Sequence, residues 1–462
     1  MTTHQQWLWS LILAFAILLA GGLVEARGLY DKPPELDRLI EELLRNNAEL
    51  QSMDEERAAL AAEISVAGAL DDPRLGVGLA NLPTDTFSFS QEPMTQKQLF
   101  IAQKLPWFGK LDLHTQKALI AVERQEALIE AKRLELIQTL SQTFYELGFV
   151  TESLRVNAEL TQMVANMLQV AEAGYAAGRG LQQDVFQAQV ELGKLLDEQV
   201  RLGKRQRTLA ARINALLNRS DFLEVDLPLD TGFLEIDMDP DAIRELARTH
   251  NPMLRVRQAD IDRASVNIDL ARKDYYPDMD LRVAYGQREE DFNGRDLPDF
   301  VSASVVVKVP LWQKQKQDQQ LVAAENRHKA ATKSYENLLH ALPHQVDALI
   351  NEIRALQENH RLFDGGLLEQ TANWSLSALS AYEVGKVDFD TMITAHLRTL
   401  RFELQAKRYR FQLYQKVVGL ETVAGIMMKD LALAGGSVDI SAVKMPPTRG
   451  NDDQHPNDTR QR

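Results

Sequence analysis

Three stretches of the chain carry apolar residues that alternate steps of four and three. Tyr335, Leu339, Leu342, Val346, Leu349, Ile353 and Leu356 form one stripe, and Ile393, Leu397, Leu400, Leu404, Lys407, Phe411, Tyr414 and Val418 form a second, with a lysine on the seam. Val185, Ala188, Leu192, Leu195, Gln199, Leu202, Gln206, Leu209, Ile213 and Leu216 form the third. A mean step of 3.5 stays on one helix face only when helices supercoil around neighbours. One such stripe also fits the core of an ordinary helical bundle; three of this length predict coiled-coil packing.

Proline agrees with the stripes. No proline occurs between Pro106 and Pro228, and only Pro343 lies between Pro310 and Pro446. Proline costs about 3 kcal/mol inside a helix, so the gaps predict long helices. Glycine punctuates each: Ala173-Gly174-Tyr175-Ala176-Ala177-Gly178 in the first, Ala381-Tyr382-Glu383-Val384-Gly385 in the second. Gly178 and Gly385 therefore predict the tips of two antiparallel helical hairpins. An arm from about Leu111 to Tyr175 would be ~98 Å long at 1.5 Å per residue, which predicts a rod or tube rather than a globule.

A period of two marks four shorter segments. Leu75, Val77 and Leu79 alternate with Arg74, Gly76 and Gly78, and a weaker pattern runs from Gln98 to Leu105. Met279, Leu281, Val283 and Tyr285 alternate with Asp280, Arg282, Ala284 and Gly286, and Val301, Ala303, Val305, Val307 and Val309 with Ser302, Ser304, Val306 and Lys308. The strands are expected at 73–82, 96–106, 278–286 and 300–310, joined by long polar loops. Such alternation fits a lipid-facing barrel strand as well as a half-buried sheet. Four strands cannot close a barrel, and open edges in lipid leave unpaired backbone groups at several kcal/mol each, so a membrane sheet requires further copies of the chain.

The chain repeats itself. Asn47, Leu50, Ile64, Ala67, Pro73, Pro106 and Lys110 match Asn251, Leu254, Ile268, Ala271, Pro277, Pro310 and Lys314 at one offset of 204, while Tyr175 and Gly178 match Tyr382 and Gly385 at 207. Two structural repeats are expected, 27–230 and 231–435, the second with three extra residues on its descending arm. The polar, proline-containing stretch 436–462 is expected to be disordered. Trp7 to Val24 is uncharged and mostly apolar, and Val24-Glu25-Ala26 fits a signal-peptidase site, so 1–26 is expected to be a leader cleaved after Ala26; a retained anchor is the alternative.

Composition removes other classes. The 462 residues include no cysteine, which excludes disulfides, thiolate metal clusters and cysteine nucleophiles. A net charge of −14 argues against nucleic acid as a partner. Gly76-Val77-Gly78 lacks the third glycine of a dinucleotide loop. His340 and His344 have helical metal-pair spacing, but Pro343 intervenes and no acidic partner adjoins. No catalytic, cofactor or metal site is expected.

With Pro106-Trp107-Phe108-Gly109-Lys110, its counterpart Pro310-Leu311-Trp312-Gln313-Lys314, and Tyr175-Ala176-Ala177-Gly178 followed by Asp184-Val185-Phe186-Gln187-Ala188, the chain resembles the TolC-like outer-membrane efflux factors over roughly residues 35 to 425. The resemblance implies a mainly α fold with transmembrane β-structure: a homotrimer whose four strands per protomer complete a twelve-strand barrel in outer-membrane lipid, continued by a helical tunnel in the periplasm. It implies a periplasmic adaptor (membrane fusion protein) at the tips, through Tyr175, Gly178, Tyr382 and Gly385, and an RND-type inner-membrane pump behind it. Asp184, Asp388 and Asp390 become candidate gate acids, although the family's ring positions hold Thr391 and Thr394 here and a helix cap is the other reading of Asp388 or Asp390. Trp107, Phe108 and Trp312 fit an interfacial aromatic belt or a core. The segment from Asn81-Leu82-Pro83 to Glu92-Pro93-Met94-Thr95 resembles ducts for heavy-metal cations; drugs are the other cargo expected. An inner-membrane-anchored coiled-coil adaptor and a duct for type I protein secretion are alternatives.

Overall fold

The computed structural model describes residues 32–225, 232–291 and 293–426. The expected leader and the expected disordered tail lie outside the described residues. The described elements run α1 (Pro34–Asn46), α2 (Ala48–Gly68), β1 (Arg74–Ala80), β2 (Gln96–Leu105), α3 (Lys110–Ala176), α4 (Gln182–Leu216), α5 (Pro240–His250), α6 (Pro252–Lys273), β3 (Met279–Gln287), β4 (Phe300–Val307), α7 (Gln317–Leu362), a π-helical turn (Phe363–Leu367), α8 (Leu368–Glu383) and α9 (Phe389–Ala424).

Two compact units result, and neither coincides with a sequence repeat. Among the described residues, one takes those of 48–132 and 252–341; the other takes those of 32–47, 133–251 and 342–426. Each unit thus draws equivalent segments from both repeats.

In the second of these units, α1 buries Leu36, Leu39, Ile40 and Leu43, the i, i+3, i+4, i+7 spacing of an amphipathic helix. Its counterpart α5 starts on Pro240, is capped by Asp239, whose carboxylate accepts from Asp241 N, and buries Ile243 and Ala247. The duplicated asparagines do the same work. Asn47 Nδ2 donates to Leu216 O at 3.0 Å and Asn251 Nδ2 to Val423 O at 2.9 Å, each tying the start of a repeat to the end of its last helix. Farther along the arms, Val156, Leu160, Val164, Met167 and Ala171 of α3 pack with Ala188 and Leu195 of α4 and Phe389, Met392, Ile393 and Leu397 of α9.

The lysine on the second stripe also finds its reason here. Lys407 Nζ lies 2.7 Å from Glu152, a carboxylate only 4% exposed, and Arg155 bridges Glu152 to Glu403.

The two descending arms are equally long. α3 has 67 residues, and α7, the π turn and α8 have 46, 5 and 16, again 67 altogether. The three extra residues of the second repeat sit in the turn Gln313–Lys316 before α7, not on the arm as the offset suggested. Helix α7 continues through Pro343.

In the other unit, α2, α6 and the adjoining parts of α3 and α7 accompany one antiparallel sheet of order β1-β2-β3-β4. Ile120 of α3 packs against Ala259 and Val266 of α6, and Arg124 pairs with Asp260 at 2.8 Å. The β2–β3 pair joins the repeats: Leu99 faces Tyr285 and Ile101 faces Val283.

Candidate membrane sheet and hairpin tips

Residues directly opposite in antiparallel strands share a face. Leu75 faces Ile101, Val77 faces Leu99, Leu99 faces Tyr285, Tyr285 faces Val301, and Leu281 faces Val305. One face of the sheet is therefore aliphatic and aromatic across all four strands, and it is open: Val77 is 82% exposed, Leu75 73% and Val301 76%. A contiguous apolar face of this kind is rare on a soluble monomer.

The opposite face holds most of the charges; Lys97, at the end of the aliphatic face opposite Leu79, pairs with Glu289 at 2.6 Å. Arg282 lies over the Phe100 ring at 3.8 Å, Arg74 approaches Asp280 at 3.6 Å, and Lys104 stands opposite Asp280 in the register. Apolar side chains on one face and charged ones on the other is the division a lipid-facing wall with a wet interior requires. The outer edges of β1 and β4 have no strand partner among the described residues.

At the strand-to-helix junction, the Trp107 ring stacks on Tyr276 with centroids 5.0 Å apart and 11° between planes, while Phe108 meets Trp107 edge-on at 5.7 Å. Trp107 N donates to Asp278 Oδ1 at 2.9 Å, and Lys110 Nζ sits 2.9 Å from both Asp274 and Asp278. Burial works against the Lys110 charge, but the two carboxylates outweigh it and hold the ammonium above the ordinary lysine range. Phe108 and Trp312 stay open, 74% and 70% exposed.

Both hairpin tips are built alike. Gly178 N donates to Tyr175 O and Arg179 N to Gly174 O; Gly385 N donates to Tyr382 O and Lys386 N to Ala381 O. This paired pattern needs a left-handed residue, and the glycines supply it with φ of +69° and +72°. Tyr175 is half exposed, and Tyr382 packs edge-on against Phe389 at 5.9 Å. Burial, then the nearby Asp184 charge, raises the Tyr382 phenol above its ordinary value.

The acids at the tips differ in setting. Asp388 is the N-cap of α9 and accepts from Thr391 N at 2.9 Å; hydrogen bonds from Thr391 hold its carboxyl below the usual carboxylate range. Asp390, exposed in the first turn, accepts from Gln187 Nε2 of α4, a contact between the two hairpins. Asp184 lies in the first turn of α4. No cluster of three or more metal-ligating acids and histidines occurs among the described residues. His340 and His344 are both exposed.

The family model described as outer membrane efflux protein matches residues 39–219 and 243–425. The chain belongs to the outer membrane efflux protein family. No curated protein matches the sequence. Among solved structures, the outer-membrane channel OprN has a TM-score of 0.70 at 18% identity, covering 86% of this chain and 91% of OprN. CusC, described as forming a transmembrane channel, has a TM-score of 0.71 at 14% identity, covering 86% and 96%. VceC, an outer membrane protein of Vibrio cholerae, has a TM-score of 0.70 at 16% identity, covering 85% and 96%. At such identities the likeness shows the fold, which is that of the TolC-like channels. The family is one of channels, not of enzymes.

In this efflux protein no described helix is long and apolar enough to cross a membrane. Sequence reasoning singled out Trp107 and Phe108 but missed Tyr276, Asp274 and Asp278. The two aspartates flank a Pro-containing turn, Tyr275-Tyr276-Pro277, and nothing local marks them as partners of a lysine in the other repeat, 168 positions from Asp278.

Proposed function

We propose that this protein is the outer-membrane exit duct of a tripartite efflux system. Three copies would complete a twelve-strand barrel, and the hairpin tips around Tyr175, Gly178, Tyr382 and Gly385 would receive a periplasmic adaptor bound to an RND-type inner-membrane pump. The observation that carries this reading is the four-stranded sheet with an exposed aliphatic face and two edges that have no strand partner among the described residues. In lipid such edges must be satisfied by further strands. The protein isolated from membranes in detergent is expected to have the mass of three chains and to form discrete conductances in planar bilayers; a monomer without conductance overturns the reading.

Cargo follows from the pump, and heavy-metal cations or drugs are the classes proposed. Acids at the tip support the former, since rings of carboxylates favour cations. Asp184, Asp388 and Asp390 are the proposed gate acids. Because Asp388 also caps α9, alanine would confound charge with fold, whereas asparagine keeps a capping oxygen. Asp388→Asn with Asp390→Asn is expected to raise single-channel conductance and weaken cation preference; unchanged values would leave these acids as structural groups only.

A further inference from the structure

The charged face of the sheet is unevenly supplied with acids. Its strand positions hold three cations, Arg74, Lys104 and Arg282, and one acid, Asp280. Arg74 lies 3.6 Å from Asp280, and Lys104 lies 3.3 Å from Asp71, which precedes β1. Arg282 makes no ion pair or hydrogen bond among the described residues. Its guanidinium lies instead over the Phe100 ring, 3.8 Å from the centroid, the contact of a planar cation with an aromatic face.

Small residues make room for this stack. Gly76 faces Phe100 across the β1–β2 pair, and a β-carbon there would collide with the ring. Ala284 faces Phe100 from β3, and Ala102 stands between Arg74 and Arg282 on their shared rung. Phe100 therefore leans over Gly76, and Arg282 covers its ring. The arrangement is not duplicated: at the offset of 204, Gly78 stands for Arg282, Ser304 for Phe100 and Asp280 for Gly76. Each chain thus carries one such guanidinium. Arginine presents its N–H donors at the edge of its plane, so stacking covers the face and leaves the donors for an acceptor.

We propose that Arg282 is an oxyanion site on the wall of the pore: three copies would set three guanidiniums at one height, a ring that favours solutes bearing a carboxylate or phosphate. This rests on the channel reading above and deepens it by naming the class of cargo the barrel favours. Rings of arginine or lysine select anions, as rings of carboxylates select cations. A guanidinium also stays protonated at every physiological pH, so the preference does not titrate. Of the two cargo classes proposed, drugs with an acidic group fit this ring and bare metal cations do not.

The chain has no cysteine, so Arg282→Cys offers a single thiol to reagents entering the assembled pore. In planar bilayers under a KCl gradient, Arg282→Cys trimers are expected to show a reversal potential shifted toward potassium relative to the parent. A methanethiosulfonate carrying an ammonium is expected to return it toward the parent value, and one carrying a sulfonate to shift it further. Chloride current through the parent is expected to fall when inorganic phosphate is added, and to fall less in Arg282→Cys. If Arg282→Cys fails to insert, Gly78→Cys supplies a thiol on the same face, where a β-carbon meets nothing within 4 Å. There the ammonium reagent is expected to shift the reversal potential toward chloride. A potential unmoved by reagents of either sign, or a parent current that phosphate leaves unchanged, overturns the site while the channel stands. A parent without conductance sinks the channel reading instead.

Discussion

Val77→Arg is expected to remove the protein from the outer-membrane fraction, while Val306→Arg leaves insertion and trimer yield near the parent level. Both valines are open to solvent in a single protomer, 82% and 60% exposed, so on a soluble sheet the two changes would be equally mild. Val77 sits on the aliphatic face opposite Leu99; Val306 sits on the charged face opposite Asp280. An arginine on the lipid side of a barrel costs about 2–4 kcal/mol near the midplane, and every copy in a ring carries it. On the interior side it meets water and the Asp280 carboxylate. Fractionation of membranes followed by an unboiled gel reads both variants, and equal behaviour of the two would overturn the assignment of faces.

The second large effect lies in the helical arms. Glu152→Ala leaves the Lys407 ammonium, 22% exposed, without its 2.7 Å partner in a packed seam. Breaking a buried pair from one side costs about 3–5 kcal/mol, and partial exposure of Lys407 places this pair near the lower figure. Replacing both, Glu152→Leu with Lys407→Leu, is expected to recover most of the loss, because the desolvation penalty disappears with the charges. Thermal melting followed by circular dichroism separates the single from the double variant.

The same pair carries a pH dependence. Burial alone would favour the neutral Glu152 acid, but Lys407 and Arg155 outweigh burial and hold the carboxyl below the ordinary glutamate range. A carboxyl that is more acidic in the folded chain adds stability above its unfolded pKa and loses it as pH falls through the folded value. The melting temperature of the parent protein is therefore expected to fall more steeply below about pH 4.5 than that of the Glu152→Leu, Lys407→Leu variant, and parallel profiles would refute this assignment.

Much of this was legible from residue order. The 3.5-residue stripes, the proline gaps and the two glycine stops already implied long hairpins, and the period of two marked the strands with their aliphatic and polar faces. These signals are local, because side chains two, three or four positions apart are placed by the backbone itself. The duplication was legible as well, down to Asn47 and Asn251, which turn out to donate to carbonyls at equivalent places. The site was less so. A lysine on the seam was visible at Lys407, but its partner belongs to the other repeat, 255 positions away. Asp388 could be read as cap or as gate acid, and only the bond from Thr391 N established the cap. The three-residue difference between the repeats was visible as an offset, yet its place in the turn before α7 was not.

Residue order by itself determined that this chain makes long paired helices and four amphipathic strands, twice over, because those choices depend on spacing along the backbone. Tertiary structure alone decided the order and register of the four strands, which carboxylates hold Lys110 and Lys407, and how segments of both repeats combine into each compact unit. Such pairings join groups 150 or more positions apart, and their free energy depends on burial and distance, quantities that exist only once the chain is packed.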